Sequence, residues 1–295
     1  MRYNRNMKLY ALYGLAAFNF LVLLYTHVGH PVDNAGPVKF RNKNLILFHE
    51  EVQLRNQELI TDEKNIAVND MENVPFNRYN SIENISNGSQ IFPQYSLLLN
   101  PSNKCLDEEN DFSDIFLLVL ITSSVRNFKQ RQAVRETWAS RTYIMGKKIL
   151  PLFLLGVNFG GRQHFVKQVK EEYAEHGDII MEDFNDTYLN LTLKTIMGFK
   201  WMNFYCPTAK YVMKTDDDMF INLNYTVQHL ATKPSTLKRF VMGHVIVGSP
   251  IRNAKSKWYM PYELYPYSDY PPFASGTCYV MSSDVTKDTY QISRS

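Results

Sequence analysis

Tyr211-Val-Met-Lys-Thr-Asp-Asp-Asp-Met-Phe-Ile221 carries an apolar run into three consecutive carboxylates and returns at once to apolar residues. Three adjacent acids on an exposed helix are ordinarily a solvated face. Here they sit at the tip of what reads as a buried strand, where uncompensated charge is costly. A divalent cation is the simplest offset for Asp216, Asp217 and Asp218. Strand alternation sends Asp216 and Asp218 to one side and Asp217 to the other. Two same-facing carboxylates with open coordination positions suit a hard cation such as Mn2+ or Mg2+, which in turn holds a diphosphate. A capped loop and a structural Ca2+ site are the competing readings.

Working upstream, Ile115 to Ile121 is a continuous apolar run bounded by Asp114 and by Thr-Ser-Ser, the pattern of a buried parallel strand. The pattern predicts a helix over 127–140, a strand over 148–156 and a helix over 163–176. A short strand over 178–181, a helix over 187–203 and the acidic-tipped strand over 210–215 follow. Strands and helices alternating at this spacing predict an α/β fold with a mostly parallel, doubly wound sheet. Ligands of such sheets bind beyond the carboxyl ends of the strands, which is where the three aspartates fall.

The amino-terminal end predicts the compartment. Arg2, Arg5 and Lys8 precede Leu9 to Val28, a stretch without Asp, Glu, Lys or Arg. As a helix it would rise about 30 Å, enough to cross a bilayer. Positive charge before the span predicts a type II signal-anchor with everything after it across the membrane. A cleaved signal peptide is the alternative, but its apolar region is normally about 7–15 residues long and ends in a small-x-small site. Five N-x-S/T sequons, at Asn84, Asn87, Asn185, Asn190 and Asn224, agree with a luminal body. The three cysteines, Cys105, Cys206 and Cys278, fit an oxidising lumen. The expected organisation is a cytoplasmic tail over 1–8, an anchor over 9–28, a polar stem over 29–100 and a catalytic domain over 101–295. A net charge of +3 gives no sign of nucleic-acid binding. With 45% apolar residues, the chain can bury a substantial core.

Four segments carry a resemblance. Arg131-Gln-Ala-Val-Arg-Glu-Thr-Trp138 resembles an R-x-x-x-R-x-T-W helix, and Asp186-Thr-Tyr-Leu-Asn-Leu-Thr-Leu-Lys-Thr195 a D-x-Y-x-N-L-T-x-K-T segment. Lys214-Thr-Asp-Asp-Asp-Met-Phe220 resembles a D-x-D metal motif. Tyr270-Pro-Pro-Phe-Ala-Ser-Gly-Thr-Cys-Tyr279 resembles a Y-P-P-Y-x-x-G-x-G-Y loop. In this order they resemble the beta-1,3-galactosyltransferase and beta-1,3-N-acetylglucosaminyltransferase family. The resemblance implies a Golgi type II hexosyltransferase of GT-A-type fold, using Mn2+ and making a beta-1,3 linkage with inversion. The donor would be UDP-galactose or a UDP-N-acetylhexosamine, and the acceptor a glycan on glycoprotein or glycolipid. An inactive luminal protein that binds UDP-sugar or glycan is the alternative.

The same resemblance assigns residues. Asp216 and Asp218 are the expected metal ligands, with Asp216 nearer the ribose and uracil. Arg131, Arg135, Lys194, Asp216 and Asp217 are the expected donor-binding residues. For Arg131 the contact would be uracil or phosphate; Arg135 would equally serve as a solvated arginine or a brace for Trp138, itself expected in the core. Lys194 would be a donor-site cation rather than a surface lysine. The loop 270–279 would wall a sugar, or form a rigid turn before a strand over 279–282. Cys105 and Cys206 match family cysteines and are expected to pair, leaving Cys278 free where the family has glycine.

Inversion needs a general base, which the family supplies from an E-D-V-type motif beyond the Y-P-P-Y loop. After Tyr279 the acids are Asp284 and Asp288, neither in that motif. Asp284 is expected as a helix N-cap. The expectation is a domain incomplete at its carboxyl end, with no residue assigned as the base.

Overall fold

The computed structural model describes residues 95–157, 163–256 and 258–294. Chain contacts divide the protein into two units, Met1–Pro31 with Gln94–Ser293 and Val32–Pro93 with Arg294–Ser295. All the described strands and helices belong to the first unit. The expected anchor, nearly all of the stem, and the sequons Asn84 and Asn87 lie outside the described residues. Among the described residues no helix is long and apolar enough to cross a membrane.

The elements alternate as the periodicity predicts. Strands β1 (Leu97–Leu99) and β2 (Leu117–Thr122) precede helix α1 (Phe128–Glu136). Strands β3 (Tyr143–Ile144) and β4 (Lys147–Val157) lead to α2 (Gln163–His176), and β5 (Ile179–Asn185) leads to α3 (Leu191–Tyr205). Strand β6 (Tyr211–Asp216), α4 (Leu223–Ala231), β7 (Val241–Ile246), β8 (Phe273–Ser282) and α5 (Ser283–Ile292) complete the order. The sheet runs β1-β5-β4-β2-β6-β8-β7, with β3 on β4 off that path. The central pairs β5-β4, β4-β2 and β2-β6 are parallel; β1, β7 and β8 add antiparallel edges. The central sheet is therefore mostly parallel, as expected.

Both faces are covered, which is why the central strands are apolar without alternation. Leu117, Val119, Ile121, Phe153 and Met213 pack with Val134 of α1, Val169 of α2 and Val227 and Leu230 of α4. On the opposite face α3 lies close to β2 and β4. A Cβ on Gly198 would come within 2.8 Å of Leu154 and 2.9 Å of Leu120, so any larger residue there would have to displace those leucine side chains. The α3 residues Ile196, Met197, Phe199, Trp201 and Met202 are all buried, as befits a helix apolar nearly all round. Cys105 and Cys206 are bonded, with Cα atoms 5.3 Å apart, and Cys278 is free.

Several boundaries differ from expectation. Leu97–Leu99 pairs with β5, so the chain enters the sheet before the expected domain start at 101. Helix α1 stops at Glu136 because Thr137 leaves helical geometry. The segment 270–279 is not a loop throughout: β8 begins at Phe273, drawn into the sheet by pairing with β6 and β7. Asp284 is not the N-cap of α5. That position is Ser282, and the Asp284 carboxylate accepts the Arg239 N–H at 2.8 Å.

Candidate active site

Strand order fixes where a ligand can enter. Successive strands after β2 add to one side, as β4 and β5, and the chain then crosses to add β6 on the other side. The carboxyl ends of β2 and β6 therefore diverge at a topological switch point, the usual crevice of a doubly wound sheet. Thr122 and Asp216 are register partners at that edge. One strand continues into Ser123-Ser124 and the other into Asp217-Asp218.

The three aspartates have three different environments. Asp216 Oδ1 accepts the Thr122 hydroxyl and the Lys214 ammonium, the latter at 2.5 Å. Lys214 is buried and also donates to the Gly276 carbonyl at 2.7 Å. Asp217 Oδ2 accepts Ser123 Oγ at 2.6 Å and Asn127 Nδ2 at 2.8 Å. Asn127 stands at the N-cap of α1 but makes no side-chain cap, its amide turned to the aspartate instead. Asp218 is exposed, and its carboxylate has no hydrogen bond or ion pair among the described residues. A divalent cation is the expected simplest offset for all three acids, but the protein itself supplies partners to Asp216 and Asp217. The alternation argument also stops short. Asp216 and Asp217 do turn to different partners, but β6 ends at Asp216, and Asp217-Asp218 lie in a turn.

The expected donor-binding cations lie behind this edge rather than on it. Arg131 is wholly buried: Nε and Nη2 grip Glu172 at 2.8 and 2.6 Å, and Nη1 reaches Ser123 Oγ at 3.1 Å and the Ser124 carbonyl at 2.5 Å. A direct contact with uracil or phosphate would require these bonds to be given up. Arg135 shares the same helical face, as expected from its spacing, and joins Glu172 at 2.8 Å and Asp178 at 2.7 and 2.8 Å. Its guanidinium lies over the Phe153 ring, 4.8 Å from the centroid. Burial pushes the Glu172 carboxyl up, but the hydrogen bonds and charges of Arg131 and Arg135 outweigh it and hold that carboxyl below its usual range. Trp138 belongs to the core, as expected.

Lys194 is buried as well. Its ammonium meets Asp186 at 2.6 Å and the Ser123 carbonyl at 2.5 Å. Burial lowers its pKa against the upward pull of Asp186 and Asp217, with nearby Lys214 lowering it further. Asp186 in turn accepts the Gly156 N–H at 3.2 Å. The two ends of the segment Asp186–Thr195 are thus bonded to each other across the turn into α3.

Every one of these cations except Arg135 touches the Ser123-Ser124 turn or Asp216. The turn itself, Asn127, Glu172 and the ammonium of Lys214 escaped the sequence reading as site residues. The available signal was the Thr-Ser-Ser step directly after a buried apolar run. Cys278 pairs opposite Thr215 in β8 and packs against the core. Burial raises its thiol pKa, which keeps it protonated.

The donor set is compatible with a hard divalent cation. Asp218 offers an exposed carboxylate, and the second oxygen of Asp216 carries no hydrogen bond among the described residues. Among those residues no group of three His, Cys, Asp or Glu is arranged to hold a metal ion by itself. Further ligands would have to be water or a bound phosphate, which a hard cation accepts readily.

Comparison with known proteins bears on the same stretch. The galactosyltransferase family model matches residues 129–295. Beta-1,3-galactosyltransferase 1 of Mus musculus, like that of Homo sapiens, is 47% identical over 201 residues, covering 68% of this chain and 59% of the relative. Beta-1,3-galactosyltransferase 5 of Pan troglodytes is 45% identical over 181 residues, covering 61% of this chain and 60% of the relative. The chain spans about three-fifths of the length of the curated relatives it matches. Among solved structures, a 4-diphosphocytidyl-2C-methyl-D-erythritol synthase from Anaerococcus prevotii overlaps 61% of this chain and 75% of its own at 11% identity, with a TM-score of 0.32, too loose to carry an argument. The match to the family begins inside α1 and takes in Arg131, Lys194, the aspartate triplet and β8: the chain belongs to the beta-1,3-galactosyltransferase family.

Proposed function

We propose that this protein transfers galactose from UDP-galactose to a glycan acceptor in beta-1,3 linkage, as a type II membrane protein of the Golgi with its catalytic domain in the lumen. The observation that supports it most is the aspartate triplet at the β2-β6 switch point, with Asp218 exposed beyond a braced Asp216 and Asp217. In inversion the acceptor hydroxyl oxygen bonds to the anomeric carbon as the bond from that carbon to UDP breaks. UDP leaves with the electron pair, and the hydroxyl proton passes to a base. Asp218 and the open oxygen of Asp216 would hold Mn2+, which when bound neutralises the growing charge on the diphosphate.

The chain's own residues supply rigidity. Ser123 and Asn127 fix Asp217; Lys214 and Thr122 fix Asp216; Arg131 and Lys194 hold the turn that carries Ser123. Preorganised groups aimed at a developing charge lower a barrier because they need not reorganise during the reaction. A luminal domain accords with the bonded Cys105 and Cys206 and with the exposed sequon asparagines Asn185 and Asn224.

The test is a titration of UDP into the full chain in detergent, with and without Mn2+, followed by a transfer assay with UDP-galactose. Mn2+-dependent UDP binding and radiolabelled galactose in a beta-1,3 product are expected. Metal-independent binding, or none by a folded sample, would remove the reading.

A further inference from the structure

Strand register places the long connection between β7 and β8 at the same end of the sheet as the aspartates. Strand β8 is antiparallel to β6, with Lys214 opposite Tyr279 and Thr215 opposite Cys278. Residues of β8 that precede Cys278 therefore extend past the end of β6, toward and beyond Asp216. Strand β7 accompanies them there, Val245 pairing with Ala274 and Ile246 with Phe273. The chain over 247–272 thus leaves and re-enters the sheet beyond the carboxyl ends of the parallel strands. Lys214 ties the two places together through Gly276 on one side and Asp216 on the other.

This connection is internally braced by one guanidinium. Arg252 donates to the carbonyls of Met260 at 2.7 Å and of Tyr265 and Tyr267 at 2.8 Å each. Its planar group lies 3.9 Å from the centroid of the Tyr262 ring. Met260 and Tyr265 are buried beneath, with Tyr270 packed against them. Above this small core the connection exposes Trp258 at 45%, Tyr262 at 63% and Tyr267 at 44%. Three large rings are thus exposed on one braced connection.

We propose that Trp258 and Tyr262 form a carbohydrate-binding platform for the acceptor saccharide, with Arg252 as its positioning residue. Pyranose rings present C–H faces that lie flat on aromatic rings, while their hydroxyls bond at the edges, and tyrosine and tryptophan supply both a face and a polar handle. The guanidinium is committed to three carbonyls, so it braces the rings rather than offering a free charge of its own. The attacking hydroxyl must arrive beside the donor, and the connection leaves and re-enters the sheet at the end where Asp216 lies. The inference rests on the galactosyltransferase reading.

The test exploits tryptophan placement. Trp138 and Trp201 are buried at 9% and 1% exposure, so acrylamide quenching of intrinsic fluorescence reports chiefly Trp258. Methyl N-acetyl-β-D-glucosaminide and methyl β-D-galactoside would be titrated into the full chain in detergent, without UDP or metal. Saturable protection of Trp258 by at least one of them is expected, absent in Trp258→Phe. Tyr262→Ala should weaken it roughly five- to tenfold, the scale of a lost aromatic contact, while leaving Mn2+-dependent UDP affinity unchanged. Arg252→Ala should do the same, through the loosened connection. No protection by either sugar, or protection that tracks protein concentration instead, would overturn the proposal. UDP binding without protection defeats the platform alone, and protection without UDP binding defeats the transferase reading alone.

Discussion

Ser123 donates its hydroxyl to Asp217 at 2.6 Å, joining the end of β2 to the end of β6 across the crevice where their paths diverge. The same residue is held from behind twice, by Arg131 at its hydroxyl and by Lys194 at its carbonyl. One small residue thus connects two buried cations to an acid at the site, Arg131 through its side chain and Lys194 through its backbone. Ser123→Ala removes the donor from Asp217 and an acceptor from Arg131, leaving buried groups short of a partner. It should cost about 1–3 kcal/mol of stability, read from urea denaturation, and weaken UDP binding in a titration. Wild-type values for both would mean that the turn is held by its backbone alone.

Asp217 and Asp218 should separate fold from function. Asp218 is exposed and makes no bond among the described residues, so Asp218→Ala should leave the melting temperature unchanged and abolish Mn2+-dependent UDP binding. Asp217→Ala should instead lower stability, because Ser123 and Asn127 lose their shared acceptor. Calorimetry of the two variants beside UDP titrations checks this. Equal UDP affinity in Asp218→Ala and wild type would remove the metal assignment.

The acids and the sheet were legible for the same reason: both are local patterns. A run such as Leu117–Thr122 can be apolar throughout only if both faces are buried, and an Asp triplet at a strand tip announces itself. The partners were not legible, because they come from afar. Glu172 reaches Arg131 across 41 positions and Asn127 reaches Asp217 across 90, and no spacing rule links such pairs. Arg131 and Lys194 are expected at a ligand because Glu172 is too distant in sequence to be paired with the one, and Asp186, though in the same segment, is not read as the partner of the other. Helix α4 and strand β7 went unnoticed for another reason. Strand β7 is interrupted by Gly243 and His244 and exposes most of its residues at the sheet edge, so its apolar positions form no continuous run like those of its neighbours.

Glu172 gives the fold a definite acid sensitivity. Its folded pKa lies below that of an unfolded glutamate, so its contribution to stability is complete above the unfolded value. That contribution is lost as pH falls through the ordinary carboxylate range toward the depressed folded value, when protonation removes the counter-charge of Arg131 and one of the two partners of Arg135. Glu172→Gln should be strongly destabilised at neutral pH, by about 3–5 kcal/mol, because the buried Arg131 guanidinium loses its counter-charge while Arg135 keeps Asp178. It should also show a shallower loss of stability on acidification. Thermal melts of both proteins from neutral to acid pH would decide the matter, and parallel curves would exclude Glu172 as the sensor.

The Cys105–Cys206 bond spans 101 positions and joins the segment before β2 to the end of α3, both half-cystines being fully buried. Closing a loop of that length restricts the unfolded chain, and in the chain-entropy account the effect is about 4.7 kcal/mol. Cys105→Ser and Cys206→Ser should each lose about 2–5 kcal/mol, and the double variant little more than either, because the first substitution already opens the loop. Cys278→Ser should be nearly neutral by comparison, since its thiol is free and only partly buried. Denatured without reductant, the wild type should take one alkyl group per chain, at Cys278, and three after reduction. Three adducts before reduction would show that the bridge does not form, and additive losses in the double variant would show that each sulfur acts through packing instead of through the bond.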